Sequence, residues 1–184
     1  MHVEIFSAEF AVKQAVTPTS VEVFFDPDDI IVSKTDLKGR ITYANKVFAD
    51  ICGYNEAELI GQPHSIVRHP DMPRCVFKLL WETLAEGREI FAYVKNMTRR
   101  GDYYWVFAHV TPSFDAGGKV IGYHSNRRVP DRRVIAALAP VYHRLAEVEA
   151  QHRNGKDGLA ASARQMIEFV QSKNVSYDQL VFSL

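Results

Sequence analysis

Three strand-like runs joined by two short turns leave this chain little freedom of architecture. Glu89 to Thr98, Tyr103 to Pro112 and Lys119 to Arg128 are rich in aromatic and β-branched residues, which suit a pleated, half-buried surface. Arg99-Arg-Gly-Asp102 and Asp115-Ala-Gly-Gly118 separate them. Turns this short make antiparallel neighbours, because a parallel pair needs a crossover of about a dozen residues. Upstream, Ile30-Ile-Val32 and Arg40-Ile-Thr-Tyr43 flank the turn Asp36-Leu-Lys-Gly39 and predict a hairpin.

The stretch between hairpin and strands reads as short helices. Asn45 is placed to cap the first, with Val47, Phe48, Ile51 and Tyr54 at helical spacing and Gly53 near its end. Glu56 to Ile60 gives a further turn, closed by Gly61 and Pro63. Asp71-Met-Pro73 signals another start, with Asp71 as a cap and Pro73 in the first turn. Its apolar face is Val76, Leu79, Leu80 and Leu84, and Gly87 stops it. The order predicts an α+β fold: a five-stranded antiparallel sheet with short helices on one face and helices flanking both ends. Such a layout encloses a small pocket between sheet and helices.

Three segments follow. Residues 1–27 form an N-terminal cap segment, where Ala11, Val12 and Ala15 suit a short helix ended by Pro18. Residues 28–128 form the central domain, and 129–184 a C-terminal helical extension. In the extension Asp131 can cap a helix, and Val134, Leu138, Val141, Leu145 and Val148 recur at 4-3-4-3 spacing. Pro140 kinks that helix or marks its start. Asn154-Gly155 breaks it, Asp157 starts another, and Ser176 to Gln179 matches a capping box before the apolar end Leu180, Val181, Phe182 and Leu184. The seam either packs on the chain's own sheet or meets a partner.

Composition excludes several function classes. Lys plus Arg and Asp plus Glu total 22 each, so no net charge draws the chain to nucleic acid or a membrane. No apolar run approaches a transmembrane span, the start MHVEIFSAEF lacks a signal peptide's basic opening, and the expected compartment is the cytoplasm. Cys52 and Cys75 sit in apolar surroundings and read as inert buried thiols. GxSxG, HExxH, P-loop, GxGxxG and CxxC patterns are missing, and the histidines show no metal spacing. The expectation is a protein without catalysis.

The segment Gly61-Gln-Pro-His-Ser-Ile-Val-Arg-His-Pro-Asp-Met-Pro73 is unusual. Arg68, His69 and Asp71 are held between apolar Ile66-Val67 and a helix start, and three prolines stiffen the run. A rigid loop of this kind can aim an arginine fork at phosphate or carboxylate. Its alternative is an Arg68–Asp71 ion pair closing a surface loop. Asn96, His109 and His124 interrupt the three strands and face either solvent or an interior pocket.

These residues carry a resemblance. The stretch Asp28-Asp-Ile-Ile31, Thr35-Asp-Leu-Lys-Gly-Arg-Ile-Thr-Tyr-Ala-Asn45, Phe48, Gly53-Tyr54 and Glu58-Leu-Ile-Gly61 resembles the opening of a PAS domain. Gly61-Gln-Pro-His64, Val67-Arg-His-Pro-Asp-Met-Pro73, Val94-Lys-Asn96, Gly101-Asp102 and Tyr104-Trp-Val106 look like the FAD-binding PAS domain of aerotaxis receptors. The resemblance covers residues 28–128. It implies a PAS fold, noncovalent FAD and redox sensing, with cofactor-binding positions at Asn45, Arg68, His69, Asp71, Trp81 and Asn96. One departure is visible: Glu89-Ile-Phe-Ala92 stands where relatives carry Pro-Trp-x-Gly, so Ile90 replaces a tryptophan. Beside FAD this leaves haem b, a small ligand or no cofactor open. A haem would take its axial imidazole from His69, His109 or His124.

The implied function is a cytoplasmic sensory protein that reports a cofactor's state to a chemoreceptor or histidine-kinase type partner in trans, as a homodimer. A ligand-free PAS dimerisation module and a small flavin oxidoreductase are the competing readings. No kinase, cyclase, methyl-accepting or DNA-binding segment is present, so the output lies in a partner or outside these 184 residues. The short joint Val129-Pro-Asp131 is expected to pass a distortion of the last strand to residues 131–150 more than to the helix at 74–86.

Overall fold

The computed structural model describes residues 16–183. The short helix expected around Ala11 to Ala15, and Leu184, lie outside these residues. The chain opens with β1 (Ile31–Thr35) and β2 (Ile41–Ala44), followed by α1 (Lys46–Cys52), α2 (Glu56–Leu59), a 3-10 turn (His64–Val67) and α3 (Arg74–Ala85). Then come β3 (Ile90–Met97), β4 (Tyr103–Phe114), β5 (Val120–Arg128), α4 (Arg132–Ala150), α5 (Gly155–Gln171) and α6 (Tyr177–Ser183). The strands form one five-stranded sheet in the order β2-β1-β5-β4-β3. Every pairing is antiparallel, with Val94 opposite Val106 and Ser33 opposite Ser125. The expected α+β architecture is the one observed.

Local chemistry explains most boundaries. Asn45 caps α1 through the Phe48 amide, and its side chain also bridges the hairpin to Val32 and Ile30. Gly53 closes α1 at φ 75°, a conformation that glycine adopts without strain. Asp131 caps α4, and Ser176 and Gln179 exchange the two bonds of a capping box before α6.

Two boundaries differ from expectation, and of the two alternatives for Pro140 the helix start is removed. Asp71 does not cap α3: the flanking residue is Pro73, which has no side-chain bond to offer. Helix α5 begins at Gly155 under an Asn154 cap, before Asp157. Pro140 lies inside a continuous α4. Pro140 and Ala136, whose carbonyl loses its helical partner, both face solvent, so water can replace the missing bond.

The sheet separates two packed layers. Ile31, Ile41, Phe48, Leu59, Tyr104 and Val106 are buried in the core on the side of α1 to α3. On the opposite face Tyr93, Trp105, Phe91 and Phe107 receive the tail. Tyr142 Oη donates to the Tyr93 carbonyl at 2.9 Å, the Trp105 and Tyr142 rings lie 6.1 Å apart, and the Phe182 ring meets Phe91 at 4.7 Å. The seam residues Val134, Leu138 and Leu145 are buried within the chain. The tail therefore packs on its own domain. No helix among the described residues is long and apolar enough to cross a membrane.

The tail also completes α3. With no cap of its own, α3 takes the Glu149 carboxylate of α4: Oε1 accepts from the Cys75 amide at 3.1 Å, and Oε2 from Arg74 Nε at 2.9 Å. Ser162 of α5 donates to the same carboxylate at 2.8 Å. Burial opposes ionisation of Glu149, but Arg74 and Ser162 outweigh it and hold the carboxyl below its ordinary range.

Candidate functional site

A cavity of about 170 Å³ lies between the inner face of the sheet and α3. Leu80, Leu84, Val94, Ala108 and Val110 supply apolar wall, and Ser33, His64, Arg68, Asn96 and Arg127 bring polar atoms to it. The volume exceeds the roughly 150 Å³ that accommodates a benzene ring and is below the roughly 300 Å³ at which pockets for whole drug-sized ligands begin. It matches the ring portion of a larger ligand.

Three of the six expected positions reach this cavity, and three do not. Asn96 points inward from β3 and is buried. Arg68 pairs its backbone with Asn96 in an isolated bridge, donates from Nη2 to the Met72 carbonyl at 3.0 Å, and lays its guanidinium 4.4 Å from the Phe77 ring centre. Burial lowers its pKa. Trp81 stands at the cavity's edge, 41% exposed and edge-on to Tyr123 at 5.4 Å. The turn at Gly39 makes room for it: a Cβ there would sit 3.2 Å from the indole, and φ is +72°.

Asn45 is occupied with capping α1 and bridging the hairpin. His69 is buried beside the edge of Tyr103, and its Nδ1 accepts from the Asp71 amide at 3.1 Å. Burial, then Lys95, lowers its pKa and keeps the ring neutral. Asp71 pairs with Lys95 at 2.8 Å on the side facing α4. Its carboxyl is held low by Lys95, against the opposing effect of burial. The Arg68–Asp71 ion pair does not form. Bridge pairing with β3 makes the backbone at Arg68 extended, so consecutive side chains alternate: Arg68 turns to the cavity and His69 away.

Of the histidines considered as axial ligands, His124 lines the cavity, while His69 and His109 lie off it. His109 stacks on Phe91 at 4.1 Å on the outer face and bonds Glu89 at 2.7 Å. Ile90 is buried against Leu80 and Leu84.

Sequence reasoning missed the most polar part of the cavity. Arg127, on β5, is 2% exposed. Its Nη2 donates to Ser33 Oγ at 2.5 Å, and Ser33 Oγ lies 3.0 Å from His64 Nε2. The His64 ring stacks on Phe48 at 5.7 Å, and the Arg127 guanidinium lies over the same Phe48 ring at 4.4 Å. An arginine can only donate, so Ser33 accepts from it and can pass its own hydrogen to His64. That network assigns the neutral His64 proton to Nδ1. Burial first, and the Arg127 charge second, push the His64 imidazole down to about 3. The available signal was alternation along β5: Tyr123, Ser125 and Arg127 all line the cavity.

Comparison with known proteins places this geometry. Residues 41–127 match the PAS fold family. The chain is 44% identical over 118 residues to the aerotaxis receptor of Escherichia coli strain K12, an alignment spanning 64% of this chain and 23% of that protein. It is 28% identical over 121 residues to the nitrogen fixation regulatory protein of Klebsiella pneumoniae, across 64% of this chain and 24% of the relative. The chain thus spans about a quarter of the length of these relatives. Among solved structures, the light state of the blue-light photoreceptor Aureochrome1 LOV superposes with a TM-score of 0.54 at 20% identity, over 60% of this chain and 88% of that one. Residues 41–127, just under half of the chain, are thus what it shares with the PAS fold family.

Proposed function

We propose that this chain is the sensory part of a signal-transduction protein, in which residues 28–128 hold a flavin, as FAD, in the cavity between sheet and α3. The reading rests on one observation above others: a ring-sized cavity whose wall presents Arg68, Asn96 and the unpaired donors of Arg127. Similarity to the aerotaxis receptor supports it. A bound flavin would supply reversible electron uptake. Asn96, from the inner face, would orient the ring edge, the apolar wall of Leu80, Leu84 and Val110 would exclude water, and Trp81 with Tyr123 would flank the opening. Asn45, His69 and Asp71 would act indirectly, by holding the hairpin and the loop before α3. The reaction class is sensing, not turnover.

The response would leave by two routes. Arg127 is the penultimate residue of β5, and buried Pro130 leads directly into α4. Helix α3, whose Phe77, Leu80 and Trp81 line the cavity, is tied at its start to Glu149 of α4. A change in the cavity therefore reaches the tail from both ends, and α3 and α4 move together. The readers of that movement would be a second copy of the chain and a chemoreceptor or kinase type partner.

The absorption spectrum of freshly purified protein tests the reading. Flavin bands support it, a Soret band replaces it with haem, and featureless spectra before and after incubation with FAD leave the ligand-free module. NADH turnover by the flavin-loaded protein would revive the oxidoreductase. Hydrogen exchange on oxidised and reduced samples should show residues 74–77 and 145–162 changing together. A change confined to 131–144 would remove α3 from the route.

A further inference from the structure

Arg127 is the least satisfied charge among the described residues. It is 2% exposed, and no carboxylate pairs with it. Its Nε and Nη1, with three N–H hydrogens between them, meet no acceptor. Burial pushes the guanidinium down to about 10, which still leaves it charged at neutral pH. Thr35 Oγ1, on the same wall, has no partner either. Breaking up a buried ion pair strands a charge at considerable cost, and here the charge stands without a pair from the start.

The neighbours sharpen the point. Ser33 accepts one Arg127 hydrogen, and neutral His64 takes the serine's own. Phe48 covers one face of the guanidinium. Asn96, His124 and Arg68 are the other strongly polar groups on the wall, and Arg68 too brings a cation. The wall therefore offers positive charge and hydrogen-bond donors, with no carboxylate to receive a donor or a cation. A ligand that completes it must turn acceptor atoms toward β5 and gain from being negatively charged there.

We propose that Arg127 sets the redox poise of the flavin held in this cavity, by facing the ring edge on which negative charge accumulates when the ring is reduced. This inference rests on the flavin reading above. The step is the uptake of two electrons and one proton by the oxidised ring. The proton goes to N5, and the negative charge is left on the N1–C2=O edge. A buried cation lying against that edge stabilises the reduced form more than the oxidised one and raises the reduction potential. The electrons come from a chemical reductant such as dithionite in the experiment.

The test uses the full chain, stripped of ligand and titrated with riboflavin. Arg127→Gln removes the charge and keeps a donor for Ser33. Arg127→Met is the second variant, since replacing a buried charge by an apolar group of similar volume is often neutral for folding. Arg127→Lys restores the charge. The expected result is a more negative midpoint potential in Arg127→Gln and Arg127→Met, with Arg127→Lys close to wild type. Affinity for oxidised riboflavin should fall about tenfold or more in Arg127→Met, as expected for loss of a charge-assisted contact. An unchanged potential in the two neutral variants overturns the inference, whatever the affinity does. Failure of the wild type to bind riboflavin or FAD overturns the flavin reading and this inference with it, so the wild-type arm tells the two failures apart.

Discussion

The two faces of one sheet are finished by opposite means. On the outer face most large groups have found partners within the chain: Tyr142 Oη reaches the Tyr93 carbonyl, Trp105 packs on Tyr142, and Phe182 meets both Phe91 and Phe107, while His69 Nε2, beside Tyr103, is the exception. On the inner face Arg127 Nε and Nη1 and Thr35 Oγ1 remain unpaired, as does Tyr104 Oη behind the cavity wall. Buried polar groups are nearly always hydrogen-bonded, so the orphans gathered around the cavity, against a single one on the other side, agree with the ligand site proposed above. On that proposal the outer face serves stability and the inner one binding.

The largest expected effect tests how firmly the outer layer is attached. Glu149→Ala removes the carboxylate that caps α3, pairs with Arg74 and accepts from Ser162. Its loss should cost about 2–4 kcal/mol, near the lower end for breaking a buried pair because Arg74 is partly exposed. Urea unfolding measures it. A loss under about 0.5 kcal/mol would mean that the tail only rests on the domain, as ordinary surface changes do.

An intermediate effect separates the faces by pH. The folded His64 imidazole titrates at about 3, below its ordinary 6.5, because burial and Arg127 disfavour the cation. Between those values the unfolded chain binds more protons than the folded one. Stability is then complete above about 6.5 and is lost as pH falls toward 3, by up to ~1.4 kcal/mol per unit. His69 is shifted the same way, so the diagnostic quantity is the difference between wild type and His64→Gln. The variant should show a shallower slope from pH 6.5 to 5 in denaturation series. Parallel slopes would place His64 outside the low-dielectric interior.

The smallest effect is the sharpest comparison, because its sign differs between faces. Tyr142→Phe deletes a hydroxyl that is bonded and should destabilise by ~1 kcal/mol. Tyr104→Phe deletes one that interacts with Asn96 without reaching hydrogen-bond geometry, and should leave ligand-free protein unchanged or stabilised by ~1 kcal/mol. Thermal unfolding of both variants without ligand gives the two signs. Equal losses would erase the distinction between a closed face and a receptive one.

Much of the fold was legible because its signals are local. Alternating strands, the turns at Arg99 to Asp102 and Asp115 to Gly118, the caps Asn45 and Asp131 and the Ser176 box each act over a few residues. The cap of α3 was misread because the carboxylate that performs it lies 74 residues away, at Glu149, while adjacent Asp71 is drawn off by Lys95. The loop from Gly61 to Pro73 was recognisable as special, yet its residues divide between two sides of the molecule. Only the bridge between Arg68 and Asn96 decides which side each side chain takes.

The amino-acid order by itself determined the strand count, the antiparallel course and the helix starts after Asn45, Asp131 and Ser176. Each of these follows from backbone conformation and hydrophobic period, which neighbouring residues impose on one another. Tertiary structure alone decided that Ser33 and Arg127, 94 positions apart, share a hydrogen bond in the cavity wall. Antiparallel pairing of β1 with β5 brings them together on one face, with Ser33 opposite Ser125. Charge and polarity are written in the chain, but whether a charged group ends in water, in an ion pair or facing a ligand depends on what the closed sheet brings against it.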